Sequence, residues 1–387
     1  MPGFELVGKE EKKELNQIFR DGSILFAHGF DTIRKRYRVR EFEVAFSKKI
    51  GCKYAIACTS GTSAIKVALK AINIKAGDHV LIPAFTFIAV AEAVVDNGAI
   101  PIFVESDETL NVSLEDLKKK ISKETKAIIV AGMLGCGTDI KKIMKIAKKK
   151  KLKVIDDNCE SLGAKLKKKY LGNQADITCW SFDSGKTIIT GEGGMITTND
   201  KKIGEYCFKY IDHGHENNKK YSRGNDTCKN FGFNYRMNEL QAAVGIAQLK
   251  KLEYIINQQK YIYNCYKKII SDYKNSIIRP SIKNSEPTYD TLIITFNNEL
   301  YAKNFANYLK KNKIGTKILP DAIKWHFAKH WSQFEKYLKI RKGSLKKRFQ
   351  KTENLLSRSV GIPIMIKTTQ AKIKKNIKIF NKFKQNL

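Results

Sequence analysis

The stretch SFDSGKTIITGEGG, residues 181–194, decides how this chain is read. It places one lysine, Lys186, after an apolar strand-like run (Ile177 to Phe182) and before a cluster of glycines. Three readings compete: a phosphate loop, a lysine that condenses with a carbonyl, and an ordinary turn. Gly185-Lys186-Thr187 matches the end of a Walker A motif, but that motif needs a further glycine five positions before Gly185 to bend round the phosphates. Trp180 stands there, in what reads as a strand, so the phosphate-loop reading fails. The glycines also lack the G-x-G-x-x-G spacing of a dinucleotide turn, and no G-x-S-x-G nucleophile elbow occurs.

Around this segment the chain alternates short β-rich runs with helical patterns from about residue 53 to 199. YAIACTS (54–60), HVLIPAF (79–85), IPIFV (100–104), AIIVAGML (127–134), KVIDD (153–157), ITCWSF (177–182) and GMITTN (194–199) read as strands. GTSAIKVALKAINI, TFIAVAEAVVDNG, LEDLKKKI and IKKIMKIAKKK read as the helices between them. This cadence predicts an α/β protein with a doubly wound, mainly parallel sheet, closed by a turn at Asn199-Asp200. Residues 239–271 read as one or two long helices, with Leu240, Ala243, Val244, Ala247 and others at helical spacing. Beyond them, YDTLIITF (289–296) and YAKNFANYLKKN (301–312) suit a smaller α+β domain. The expected division is an N-terminal segment (1–30) packing near the small domain, a large domain (31–248) and a small C-terminal domain (249–387). The lysine-rich tail reads as a solvated helix.

Composition narrows the classes. A chain of 387 residues is long enough for two domains. Its 42% hydrophobic and 10% aromatic content is globular rather than disordered. The most apolar region, 79–104, is broken by Pro83, Glu92, Asp96 and Gly98. It falls short of the roughly 18 uninterrupted apolar residues of a spanning helix. No secretory leader pattern opens the chain, so a soluble, cytoplasmic protein is expected. The eight cysteines are scattered without a Cys-x-x-Cys pair, and the His213/His215 pair lacks further ligands, so no metal site is expected. The net charge of +34 would suit nucleic acid or anionic ligands. The charge, however, is mostly lysine spread over separate segments, which reads as solvated faces rather than as an arginine-rich groove.

The carbonyl-condensing reading of Lys186 has independent support. Such a lysine belongs in a closed cleft, partly desolvated so that its pKa falls. Lys186 is flanked by Trp180, Phe182, Ile188 and Ile189, unlike the many surface lysines. Pyridoxal 5′-phosphate (PLP) also needs a carboxylate at its ring nitrogen. Asp157 ends strand KVIDD, at the edge where parallel sheets bind ligands. Ser60-Gly61-Thr62, opening a helix, suits the phosphate, and Phe87 the ring face. Each residue has a plainer reading: an N-cap for Ser60-Gly61-Thr62, a cap or ion pair for Asp157, core for Phe87, a buried hydroxyl for Ser181. Their joint occurrence near strand ends favours the cofactor.

With these residues in place, the chain resembles the DegT/DnrJ/StrS family of sugar aminotransferases, PLP enzymes of fold type I. The resemblance covers nearly the whole chain. It is carried by SGTSAIKVAL (60–69), GDHVLIPAFTFIAVAEAVVDNGAIPIFV (77–104), VIDDNCESLGA (154–164), DITCWSFDSGKTIITGEGGMITTND (176–200) and GFNYRMNELQAAVGIAQLKKL (232–252), in that order. It implies a large seven-stranded sheet domain and a smaller C-terminal domain. It implies that Lys186 bonds the cofactor and shuttles protons, and that Asp157 pairs with the ring nitrogen. Glu160 would lie by the ring, where the family often has Gln or His. Phe87 would stack on it, and Ser60, Gly61, Thr62 and Ser181 would hold the phosphate. Asn234 would reach the cofactor of the neighbouring subunit in a homodimer with shared sites. The implied reaction takes nitrogen from L-glutamate, stores it as pyridoxamine phosphate and passes it to a keto- or aldehydo-sugar. Some relatives carry histidine in place of the lysine and act as dehydratases.

MPGFELVG (1–8), HGHENN (213–218) and GTKILPDAIKWHFAKHW (315–331) resemble a subgroup containing 8-amino-3,8-dideoxy-octulosonate transaminases of lipopolysaccharide synthesis. A nucleotide-linked 4-keto-6-deoxy sugar is the alternative acceptor, a sugar dehydratase the alternative chemistry, and a basic nucleic-acid-binding regulator the non-enzymatic alternative. His213, His215, Arg223, Trp325 and His326 are the candidate substrate contacts. One departure stands out: where many members read His-Leu-Tyr-Gly, this chain has Gly132-Met133-Leu134-Gly135.

Overall fold

Apolar runs of five residues, too short for helices and buried on both faces, set the architecture. The structure, a computed structural model, describes residues 3–218, 220–338 and 341–384; Met1, Pro2 and the last three residues of the expected domains lie outside it. Two helices, α1 (Lys9–Arg20) and α2 (Arg38–Ile50), come first. Strands and helices then alternate: β1 (Tyr54–Cys58), α3 (Gly61–Ala71), β2 (His79–Pro83), α4 (Ala89–Asp96), β3 (Ile100–Val104), α5 (Leu114–Lys120), β4 (Thr125–Ala131), α6 (Ile140–Lys150) and β5 (Lys153–Asp157). The short β6 (Lys165–Leu166) and β7 (Lys169–Tyr170) precede β8 (Ile177–Ser181) and β9 (Gly194–Thr198). The large sheet has seven strands in the order β1-β9-β8-β5-β4-β2-β3. The pairs β2/β3, β2/β4, β4/β5 and β5/β8 are parallel, while β9 runs antiparallel to β1 and β8. The expected α/β class and seven-stranded, mainly parallel sheet are therefore present.

The turn at Asn199-Asp200 does not close this region. The Asp200 side chain accepts from the N–H groups of Lys202 and Ile203, at 2.8 and 3.2 Å, and caps α7 (Lys201–Tyr210). Next comes α8 (Glu239–Ile270), a single helix of 32 residues, about 48 Å long. Gly245 lets it meet α2 closely, since a β-carbon there would lie 2.7 Å from the Phe42 ring. Its residues up to Ile256 share a core with Trp180, Phe46 and Phe182. From Ile262 onward they serve a separate core. A three-stranded antiparallel sheet builds that second core: β10 (Ser276–Ile278), β12 (Thr291–Phe296) and β13 (Ser359–Pro363). The short β11 (Ser285–Glu286) pairs with β6. Helices α9 (Glu299–Lys311), α10 (Gln350–Ser357) and α11 (Gln370–Lys384) complete the chain.

The lysine-rich tail is a helix, α11, but not a wholly solvated one. It buries Ile373, Phe380 and Phe383 in the second core, and Phe383 packs 4.8 Å from Phe305. At the other end, Glu11 of α1 accepts from Gln248 Nε2 at 2.9 Å and pairs with Lys251 Nζ at 2.7 Å, both on α8. Many lysines sit in last helical turns, such as Lys118–Lys120 on α5 and Lys148–Lys150 on α6. There they complement the helix dipole. Among the described residues, no helix is long and apolar enough to cross a membrane.

Candidate active site

Strand β8 ends at Ser181, and the loop after it is stitched shut at its base. Phe182 N–H donates to Gly193 C=O, and Thr190 N–H to Phe182 C=O, both at 2.8 Å. Within the loop, Asp183 Oδ2 accepts from Gly185 N–H at 3.1 Å, and Asp183 C=O from Lys186 N–H at 2.9 Å. This turn brings Lys186 to a cavity of about 540 Å³. The cavity is also lined by Ser60, Gly61, Thr62, Phe87, Asp157, Glu160, Ser181 and His326, all expected from the sequence. It opens at the carboxyl ends of β4, β5 and β8, where parallel sheets gather ligand contacts.

Lys186 Nζ lies 3.6 Å from Glu160 Oε1. Glu160 Oε2 accepts from Leu134 N–H at 3.0 Å. That bond explains the Gly132–Gly135 segment. Leu134 takes the left-handed conformation (φ 51°), and a β-carbon at Gly132 would lie 2.4 Å from Ser161 Oγ. Arg279 holds the segment from behind, donating to Met133 C=O at 2.8 Å. Asp157, deeply buried, accepts from Cys159 N–H at 3.0 Å.

Burial raises the pKa of Asp157, opposed by Lys186. Burial also pushes Glu160 up, but Lys186, Lys317 and His326 outweigh it and hold that carboxyl down at about 2. For Lys186, burial works against the charge, yet Glu160, Cys159, Asp157 and Asp183 together raise its pKa. The expectation of a lysine with a lowered pKa is thus corrected: desolvation is present, but the carboxylates overrule it. Burial lowers the pKa of His326, with Glu160 opposing.

The walls fit PLP. Ser60 caps α3, its Oγ accepting from Ser63 N–H at 3.0 Å, so the helix presents its N-terminus to the cavity. A β-carbon at Gly61 would lie 2.8 Å from Ser181 Cβ and 3.0 Å from Cys159 Sγ. Glycine therefore lets the helix start approach the end of β8, as a phosphate cradle made of both requires. The buried hydroxyl of Thr86, on the same wall, has no hydrogen-bond partner among the described residues. Phe87, 41% exposed, offers a flat face.

The remaining candidates divide. Trp325 stands at the rim, 63% exposed, its ring parallel to Phe87 at 6.3 Å. It arrives with His326 on a strap of three backbone bonds of 2.9 Å, from Thr86 and Ile88 N–H to His326 and Trp325 C=O, and from Ala328 N–H to Ala84 C=O. His213, His215 and Arg223 do not line this chain's own cavity. Asp212, fully buried, takes the Arg223 guanidinium at 2.5 and 2.9 Å and Arg236 at 2.7 Å. His215 pairs with Asp226 at 3.3 Å, and His213 is turned by a positive φ of 54° with its N–H on Phe233 C=O. Asn234 bridges Asp212 on the same loop and does not line this chain's cavity. Lys317, Thr86 and Glu192 line the cavity but were not singled out from the sequence. Lys317 and Glu192 do sit in segments that were, GTKILPDAIKWHFAKHW and GEGG. Among the described residues no cluster of His, Cys, Asp or Glu could hold a metal ion.

A mainly parallel sheet with a lysine, a carboxylate and a helix start converging at its carboxyl edge defines a PLP-dependent transferase of fold type I. More particularly, the chain belongs to the DegT/DnrJ/EryC1/StrS aminotransferase family, which it matches over residues 9–381. It is 39% identical over 234 residues to GDP-perosamine synthase of Escherichia coli O157:H7, covering 60% of this chain and 63% of that one. The match thus spans a little under two thirds of that relative's length. It is 32% identical over 374 residues to an uncharacterized protein of Methanocaldococcus jannaschii, covering 94% and 92%. The fold is that of an aminotransferase from Psychrobacter cryohalolentis, with a TM-score of 0.86 at 24% identity over 98% and 97% of the chains. A GDP-4-keto-6-deoxymannose-3-dehydratase shares it too, with a TM-score of 0.82 at 22% identity over 97% and 98%.

Proposed function

We propose that the protein is an aminotransferase that moves an amino group from L-glutamate to the carbonyl of a keto- or aldehydo-sugar, for surface polysaccharide or lipopolysaccharide. The observation that carries this reading is the placement of Lys186 in the cavity, 3.6 Å from Glu160 and among the walls that fit PLP. When bound, PLP supplies an aldehyde that takes up amines and a protonated ring that draws off electron density. Ser60, Gly61, Thr62 and Ser181 would hold its phosphate, Asp157 its ring nitrogen, Phe87 its face and Glu160 its hydroxyl side. Asn234 of the partner subunit would complete the phosphate site in a homodimer.

Lys186 Nζ serves as the base that takes the proton from the donor's α-carbon. In the return half it delivers a proton to the carbon that was the sugar's carbonyl. Asp157, ionised against a positive partner, keeps that partner charged. Aminotransferases and a dehydratase share this fold, so the lysine favours amino transfer, because an amine can both bond a carbonyl carbon and carry protons.

For the acceptor, relatives named GDP-perosamine synthase support a nucleotide-linked 4-keto-6-deoxy sugar. The 315–331 segment supports an oxidised octulosonate, since it delivers Lys317 and His326 to the cavity. Borohydride treatment of PLP-supplemented protein should fix the cofactor to Lys186, read by peptide mass mapping. Conversion of glutamate to 2-oxoglutarate over a panel of both sugar classes then separates them. Absence of any Lys186 adduct would overturn the proposal.

A further inference from the structure

A second cavity, of about 230 Å³, lies against Leu134, the residue whose N–H seats Glu160. It forms where three parts of the chain meet: the turn after β4, Tyr263 and Lys267 on α8, and the segment from Arg279 to Tyr289 that leads into β12. Its volume falls below the ~300–1,000 Å³ of pockets that take drug-sized ligands. A sugar nucleotide does not fit there, but an ion of a few heavy atoms does.

The chemistry of this cavity is cationic. Arg279 and Lys267 line it, and no aspartate or glutamate does. Arg279 Nε donates to Thr109 C=O at 2.6 Å, Nη1 to Met133 C=O at 2.8 Å and Nη2 to Asn111 Oδ1 at 3.3 Å. All these acceptors are neutral, and Nη2 carries a second N–H with no acceptor among the described residues. The carboxylates flanking Tyr289 in sequence are spent elsewhere: Glu286 pairs with Lys260 at 2.7 Å and Asp290 with Lys317 at 2.5 Å. Lys267, exposed at the rim, has no ion pair among the described residues.

Tyr263 supplies an independent sign. It is only 9% exposed, it lines the cavity, and its hydroxyl has no hydrogen-bond partner among the described residues. A hydroxyl removed from water without a partner is costly, and so is a guanidinium held by neutral oxygens alone. One anion in the cavity answers both.

We propose that this cavity binds a small anion, a phosphate or a carboxylate, between Arg279, Lys267 and the Tyr263 hydroxyl. Arg279 also carries the effect of occupancy to the active site. Its guanidinium holds Met133 C=O, and Asn111 Oδ1, which it also contacts, accepts from Met133 N–H at 3.3 Å. An anion that anchors Arg279 therefore steadies the turn from which Leu134 N–H reaches Glu160.

The test is hydrogen exchange, read by mass spectrometry on the full chain titrated with inorganic phosphate, malonate or chloride. Phosphate or malonate should slow exchange in 132–137, 260–268 and 279–289, with a midpoint below about 1 mM. The probe with the lower midpoint separates a phosphate site from a carboxylate site. Tyr263→Phe with Lys267→Ala should raise that midpoint at least about tenfold. Neither substitution removes a hydrogen bond or ion pair of the fold, whereas Arg279 is left in place because it holds the turn. Slowing confined to peptides around 60–63 would put the anion in the cavity of Lys186 and overturn the proposal. So would an equal response to chloride at matched ionic strength, no slowing at about 10 mM of either probe, or a midpoint that the two substitutions move less than about twofold.

Discussion

Gly3→Ala tests how the N-terminus is coupled to the reacting lysine. Gly3 is buried, and its N–H donates to Lys186 C=O at 3.1 Å. A β-carbon there would lie 2.7 Å from Ile189 Cγ2, 2.8 Å from Lys186 O and 3.0 Å from Thr187 O. Two of these three atoms are backbone carbonyls in a loop closed at its base, so they cannot rotate aside. Either the loop shifts, at the ~1–3 kcal/mol usual for overpacking, or residues 3–6 lift away. Lifting away forfeits the Gly3 hydrogen bond, about 1 kcal/mol, and unseats Glu5. The Glu5 carboxylate accepts from the N–H groups of Ile366 and Lys367, at 2.8 and 3.2 Å. The molecule takes the cheaper route, so the expected loss is about 1–2 kcal/mol in urea unfolding at unchanged m-value. Hydrogen exchange should quicken at the amides of 183–190 while the strands of the large sheet stay protected. A Gly3→Ala protein with wild-type stability and unchanged exchange in that loop would refute the coupling.

Asp212 supplies a pH-dependent prediction. Burial alone would raise its pKa, but Arg223, His28 and Asn217 bring it from 3.8 down to about 2. A lowered carboxylate adds stability above its unfolded value and loses it as pH falls through the folded one. Wild type should therefore exceed Asp212→Asn by about 2 kcal/mol more at neutral pH than at pH 2, with the gap closing between pH 4 and pH 2 in urea titrations. Asp157→Asn should still trap PLP on borohydride reduction but slow the glutamate half-reaction at least about a hundredfold, measured by single-turnover absorbance. Gly61→Val, which drives a side chain between Ser181 and Cys159, should weaken PLP uptake in fluorescence titration at a folding cost of about 1–3 kcal/mol.

Much of the site was legible because its main residues lie at strand ends. Asp157 closes an apolar run, Ser60-Gly61-Thr62 follows one, and Lys186 stands just past one; periodicity alone puts all three at one edge of a parallel sheet. Lys317 was not legible. It reaches the same cavity from a segment over a hundred residues further on, held to β13 by backbone bonds between Lys317 and Gly361 and between Gly361 and Leu319, which leave no side-chain pattern. His213, His215 and Arg223 show the opposite difficulty. A side chain in a polar loop looks free until its partner is known: Arg223 is taken by Asp212, a lone aspartate in an otherwise unremarkable turn, and His215 pairs with Asp226. Helix α7 was passed over because Asn199-Asp200 reads equally as a turn and as a cap. The tail was misjudged because its lysines outnumber the Ile373, Phe380 and Phe383 that dock it.

The charge on Lys186 shows how the parts of the site depend on one another. Burial by itself would favour the neutral, nucleophilic amine, yet the surrounding carboxylates raise the pKa of this lysine. The reactive state must therefore come from changing what those carboxylates face, rather than from desolvation alone. Under the proposed function the ring nitrogen of PLP would engage Asp157, while Glu160 accepts from Leu134 N–H. With Asp157 so engaged, one of the influences that raise the pKa of Lys186 would weaken. Asp157 would then be a residue through which cofactor binding alters the reactivity of Lys186.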